Sequence, residues 1–100
     1  MSYPFIPGYK VSEVLSGALK TLQAHGWIQG SYGDTESGLC SLGAIDAQYP
    51  PHDVLMDAYR MFSDVVGEPV IARWNDAEGR TFEQVESAFR RAIRFAEDFE

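Results

Sequence analysis

From Thr81 to the end of the chain runs one pattern that dictates much of what this chain can become. Thr81 followed by Gln84 spells a capping box, in which the hydroxyl and the amide side chain each satisfy the other residue's backbone N–H at a helix start. Plotted at about 100° per residue, Phe82, Val85, Ala88, Phe89, Ala92, Ile93, Phe95, Ala96 and Phe99 fall within an arc of roughly 160°. Glu83, Glu86, Arg90, Arg91, Arg94, Glu97 and Asp98 take the other side, with Glu86 and Arg90 in the favourable i,i+4 order. An apolar face this wide must be covered, either by the rest of the chain or by a second copy in a homodimer.

Upstream segments supply the cover. Val11, Val14, Leu15, Ala18, Leu19 and Leu22 recur at three- and four-residue spacings, which predicts a helix capped at Ser12 and ended by Gly26. A short helix is expected over 39–48, with Leu42, Ala44, Ile45 and Ala47 as its pattern and Pro50 and Pro51 as its stop. Gly43 in its middle costs about 1 kcal/mol against alanine, tolerable where a neighbour must approach closely. Another helix runs from 52 or 53 to 66 on Val54, Leu55, Ala58, Tyr59, Met61, Phe62, Val65 and Val66, with Gly67 and Pro69 after it. Trp27 and Ile28 read as a short extended piece, and Gly30, Gly33, Asp34 and Gly38 as a loop. Residues 70–74 read as a short strand or extended segment. The expected fold is mainly α: a compact bundle of about four helices with one or two very short strands. Residues 11–100 form one helical domain. Residues 1–10 form an arm packed on it, because Pro4 and Pro7 oppose helix while Tyr3, Phe5, Ile6 and Tyr9 favour contact.

Charge narrows the function. The 100 residues carry 15 acidic against 8 basic side chains, a formal net charge of −7. Phosphate-backbone binding needs a basic face, so nucleic acid is not an expected partner. Arg90, Arg91 and Arg94 form a stripe, but it is interleaved with acids as on an ordinary solvated face. The single cysteine, Cys40, allows no intramolecular disulfide. No apolar run reaches the ~20 residues of a membrane span, and Met1 to Lys10 lack a signal-peptide pattern, so a cytoplasmic location is expected. No cofactor or metal is expected. There is no phosphate-cradling glycine loop and no serine nucleophile elbow, and one cysteine with His25 and His52 makes no metal-ligand spacing.

The most distinctive segment is Trp74-Asn75-Asp76-Ala77-Glu78-Gly79-Arg80-Thr81. Turn and capping chemistry alone accounts for it: Asn and Asp side chains accept from nearby amides, Gly79 relaxes the turn and Thr81 caps the helix. It lacks the alternating oxygen ligands of a calcium loop. As a binding site it would use Trp74, Asn75, Asp76 and Arg80, with Trp74 as anchor and Asp76 and Arg80 as recognition groups, since Trp and Arg are favoured hot-spot residues. An enzymatic alternative places Cys40 as nucleophile at a helix start, His52 or His25 as base and Asp76 or Asn75 as orienter. The order Cys40, His52, Asn75 matches papain-like enzymes, but the spacings are far too short and the local cysteine signature is absent. Leu39, Leu42 and Ala44 give Cys40 the neighbourhood of a buried structural thiol.

Gly26-Trp27-Ile28-Gln29-Gly30, Cys40-Ser41-Leu42-Gly43-Ala44-Ile45 and the Trp74–Thr81 segment together resemble a family of small actinobacterial and bacteriophage proteins of unknown function. The likeness runs from about Val11 to Ala96. The matching positions are Trp27, Cys40, Gly43, Ala44, Trp74, Asn75, Asp76 and Arg80. The resemblance implies an actinobacterial or phage origin and a closeness of Cys40 to Trp74–Asp76, and it transfers no activity. The expected role is that of a small soluble non-enzymatic accessory protein acting by protein–protein binding with a host or phage protein. The alternatives are the Cys40 enzyme and an acidic mimic of nucleic acid, for which Asp34, Glu36, Asp46, Asp53, Asp57 and Asp64 would have to line up on the surface.

Overall fold

The computed structural model describes residues 9–100. Among them are five helices and one two-stranded antiparallel sheet, in the order α1 (Val11–His25), β1 (Gly33–Asp34), β2 (Gly38–Leu39), α2 (Ser41–Asp46), α3 (His52–Val66), α4 (Ile71–Asn75) and α5 (Phe82–Glu97). The expected N-terminal arm lies outside the described residues apart from Tyr9 and Lys10, both exposed. No described helix is long and apolar enough to cross a membrane.

The mainly helical class is what the periodicity dictates. The capping box of α5 forms in both directions: Thr81 Oγ1 accepts from the Gln84 amide at 3.2 Å, and Gln84 Oε1 accepts from the Thr81 amide at 3.1 Å. Its apolar arc delivers Val85, Ala88, Phe89, Ala92 and Ala96 to the core, while Phe95 and Phe99 stay 45% and 47% exposed. α1 packs against α5, α2 and α3, and α3 packs against α5. The fully buried alanines Ala18, Ala58, Ala88 and Ala92 let the helix backbones approach, and Phe62 and Phe89 fill the space between, their ring centroids 4.5 Å apart.

Four local expectations give way to long-range contacts. Ser12 does not cap α1; Lys10 holds that position without a side-chain bond. The Ser12 amide and hydroxyl donate instead to the Glu100 carboxylate, the amide at 3.0 Å. That carboxylate does a cap's work at the positive end of the helix, from 88 residues away. The helix expected over 39–48 is shorter, because Leu39 pairs with Gly33 in the sheet and Cys40 takes the N-cap, its Sγ accepting from the Gly43 amide at 3.2 Å. Trp27 makes a single bridge to Leu39 and no strand, and the sheet lies in the expected loop. Residues 70–74 are not extended: α4 is one helical turn that buries Ile71 and Asn75, four residues apart on one face.

Gly43 sits where the backbone of the 32–33 turn meets α2. A Cβ there would lie 2.5 Å from the Tyr32 carbonyl oxygen and 3.0 Å from its ring. Gly43→Ala is therefore expected to lower stability by about 1–3 kcal/mol through overpacking, although alanine is the better helix former. Urea unfolding of the two proteins checks this; a stabilised variant would mean that the turn yields freely.

Asp57 on α3 is almost wholly buried, pairs with Arg60 at 3.3 Å through Oδ1, and leaves Oδ2 without a hydrogen bond. Burial pushes its carboxyl up from the ordinary value, with Arg60 pulling it down and Asp53 adding to the rise. The folded state thus holds this proton more tightly than the unfolded chain does. Ionisation of Asp57 subtracts stability as pH rises through the carboxylate range, and acidification restores it. Asp57→Asn removes that deficit and loses only a half-exposed ion pair of small worth. The variant is expected to be more stable than the parent at pH 7, with an advantage that vanishes below the unfolded-state value near pH 3.9. Denaturant unfolding at pH 7 and at lower pH measures it, and a parent that is the more stable at pH 7 would contradict this account.

Candidate functional site

The single turn of α4 aims the Asn75 side chain inward, and a set of hydrogen bonds converges on it. Its Oδ1 accepts from the Trp27 indole Nε1 at 2.7 Å, the Ser41 amide at 2.9 Å and the Ser41 hydroxyl at 2.6 Å. Its Nδ2 donates to the Ile28 carbonyl at 3.1 Å and to Asp76 Oδ1 at 3.0 Å. Asn75 is fully buried, and its amide oxygen and nitrogen are both engaged. Asp76 Oδ1 also accepts from the Gly30 amide at 2.9 Å, and Gln29 Nε2 donates to the carbonyls of Asn75 and Ala77 at 2.9 and 3.0 Å. Two segments of unlike sequence, 27–30 and 74–77, are thereby stitched together, with the start of α2 as the third party.

Trp74 and Arg80 face the other way. The Trp74 ring meets Phe62 edge-on at 5.5 Å and carries the Arg80 guanidinium over its face, Cζ 4.1 Å from the ring centroid. Arg80 Nε donates to the Trp74 carbonyl at 2.9 Å, which locks the pair. Beside them opens a groove of about 480 Å³ between the end of α3 and the first turns of α5, lined by Val66, Trp74, Arg80, Thr81, Glu83, Gln84, Ser87 and Arg91. Neither Arg80 nor Arg91 has a carboxylate within ion-pair distance among the described residues. Arg91 also borders a second recess of about 280 Å³ with Val65 and Phe95.

The four candidate binding residues thus divide by role. Trp74 and Arg80 line the groove, while Asn75 is sealed in the core and Asp76, itself exposed, accepts through Oδ1 from the Gly30 amide and from Asn75. Turn chemistry expects Asn75 and Asp76 to accept from nearby amides; instead Asn75 Oδ1 accepts from Trp27 and Ser41, and the amide that Asp76 accepts from is that of Gly30. Of the two indoles, it is that of Trp27 that Asn75 holds.

The alternative catalytic residues each take other partners or surroundings. Cys40 is buried, with its sulfur accepting the Gly43 amide. His52 is exposed on the first residue of α3, and Asp76 is exposed on the turn after α4. No hydrogen bond joins Cys40, His52 and Asp76 to one another among the described residues. Cys40 does adjoin Ser41, whose amide and hydroxyl reach Asn75, so the neighbourhood of Cys40 and the Trp74–Asp76 turn is real. Among the described residues no three His, Cys, Asp or Glu side chains are grouped to hold a metal ion.

The model of a family of unknown function, DUF6197, matches residues 7–95. No curated protein and no solved structure matches the chain.

Proposed function

The chain belongs to the DUF6197 family, and from that premise we propose that it is a non-enzymatic accessory protein that docks on another protein through the groove beside Trp74. One observation carries this reading. Arg80 and Arg91 line that groove with no carboxylate within ion-pair distance among the described residues, in a chain that has 15 acidic residues, next to a partly exposed tryptophan ring. Arginine on tryptophan is rigid and partly desolvated, and both residue types dominate binding energy at protein interfaces. The asparagine network behind the pair supports the reading, since it fixes the turn before any partner arrives and so lowers the ordering cost of association. The resemblance of its motifs to those of small actinobacterial and phage proteins supports an origin of that kind and action in the host cytoplasm as part of the same reading.

The test is affinity capture from actinobacterial lysate with the parent and with Arg91→Glu, an exposed substitution that leaves the core intact. A protein retained by the parent and lost with Arg91→Glu is the expected result. A partner retained equally by both, or no partner at low salt, overturns the groove as a docking surface.

A further inference from the structure

The two walls of the groove beside Trp74 differ in chemistry. One is apolar, formed by Val66 and the Trp74 ring. The other is a polar stripe: Gln84, Ser87 and Arg91 recur at three- and four-residue steps on α5, and Arg80 stands just ahead of its start. What this stripe has left to offer is mostly hydrogen-bond donors. Arg80 donates through Nε to the Trp74 carbonyl and through Nη1, at 3.4 Å, to Gln84 Oε1, while its Nη2 has no acceptor among the described residues. Gln84 Oε1 also accepts from the Thr81 amide, so both of its lone pairs are taken and its Nε2 is left to donate. Arg91 makes neither a hydrogen bond nor an ion pair among the described residues.

The groove also runs past the start of α5, where the helix dipole favours negative charge. Its one carboxylate, that of Glu83, pairs with neither arginine. The Arg80 guanidinium is already held over the Trp74 ring, Cζ 4.1 Å from the centroid, so it loses little rotamer freedom on meeting a ligand. A neutral apolar or cationic occupant would cover these donors without matching them, at a cost for each. An occupant that brings carboxylates satisfies them with charge-assisted bonds.

Resting on the reading of this groove as a docking surface, we infer that the segment it receives is acidic: an extended stretch of a partner protein that sets one carboxylate on Arg80 and another on Arg91, with an apolar side chain between them against Trp74 and Val66. The helix rises about 15 Å from Thr81 to Arg91, the length of about four to five residues of extended chain. The net charge of −7 does not oppose such a segment strongly, because at about 0.15 M salt exposed charges more than about 8 Å away are largely screened and the groove's own arginines dominate.

The probe is acetyl-Glu-Gly-Leu-Gly-Glu amide, with glutamine in place of both glutamates as its neutral control. Each is titrated at about 0.15 M salt into the isotope-labelled protein. The acidic peptide is expected to shift the Trp74 indole and Arg80 Nε–H resonances saturably, and the glutamine peptide to bind at least about fivefold more weakly. Arg91→Gln is expected to weaken binding of the acidic peptide by about three- to fivefold, the scale of an exposed ion pair. Arg94→Gln removes the same charge from an exposed position outside the groove and is expected to change affinity less than about twofold. Glu83→Gln is expected to strengthen binding by about two- to threefold, a sign that damage to the fold would not produce. Thermal unfolding confirms that each variant is folded. Equal affinity for the two peptides overturns the acidic occupant and leaves the groove standing as a docking surface. Equal losses in Arg91→Gln and Arg94→Gln, weaker binding by Glu83→Gln, or no saturable shift with either peptide also overturns it, while the lysate capture with Arg91→Glu judges the docking surface separately.

Discussion

Replacing Asn75 with alanine is expected to lower the unfolding free energy by about 3–4 kcal/mol, the largest effect of any polar substitution in this chain. The cost comes from the groups left behind. The Ser41 amide loses a partner in a buried setting, and the Trp27 indole N–H and the Ile28 carbonyl lose theirs in a partly buried one. An unsatisfied buried donor or acceptor costs about 1–3 kcal/mol, and partial entry of water moderates the sum. For a domain of this size the melting temperature would fall by roughly 15–25 °C. Scanning calorimetry of the parent and Asn75→Ala reads this directly. A loss under about 1 kcal/mol would mean that water replaces the amide and that the network organises nothing.

Phe62→Ala is the matching test of the apolar side, with an expected loss of about 3–5 kcal/mol for a fully buried phenylalanine. Phe62 stands between two aromatic partners, Phe89 at 4.5 Å and Trp74 at 5.5 Å. Its removal leaves a cavity behind Trp74 as well as in the core. The variant should therefore show a red-shifted indole emission in native buffer in addition to lower stability. A full stability loss without any change in emission would show that the Trp74 ring is held by Arg80 alone. Phe62→Leu, which fills more of the space, should lose less on both counts.

The contrast between these two residues marks what the sequence makes legible. Phe62 announces itself, because it falls on the apolar stripe of α3 and burial of that stripe is the only way to fold it. The last helix is equally plain: its capping box and its buried arc both form where the pattern puts them. Asn75 is legible only as a turn former. That it is instead the buried centre of a network depends on Ser41 and Trp27, 34 and 48 residues away, meeting at one amide. Local rules also fail at 70–74, where a β-branched pair and a tryptophan suggest extension while one turn of helix buries Ile71 and Asn75 together. At Ser12 the missing cap arrives from Glu100. Each miss has the same physical origin, a local preference worth less than about 1 kcal/mol set against contacts made across the fold.

The asparagine junction also governs how long the folded molecule lasts. Its bonds close stretches of 34 to 48 residues, and closing stretches of that length is an entropic cost met before the bonds give anything back. Such links are expected to form late, after the helices have found one another, so that they are largely absent from the barrier to folding. Their loss should then leave the folding rate nearly unchanged and speed unfolding by roughly two to three orders of magnitude, the kinetic equivalent of about 3–4 kcal/mol. The native lifetime of this domain would rest on one amide side chain at its centre.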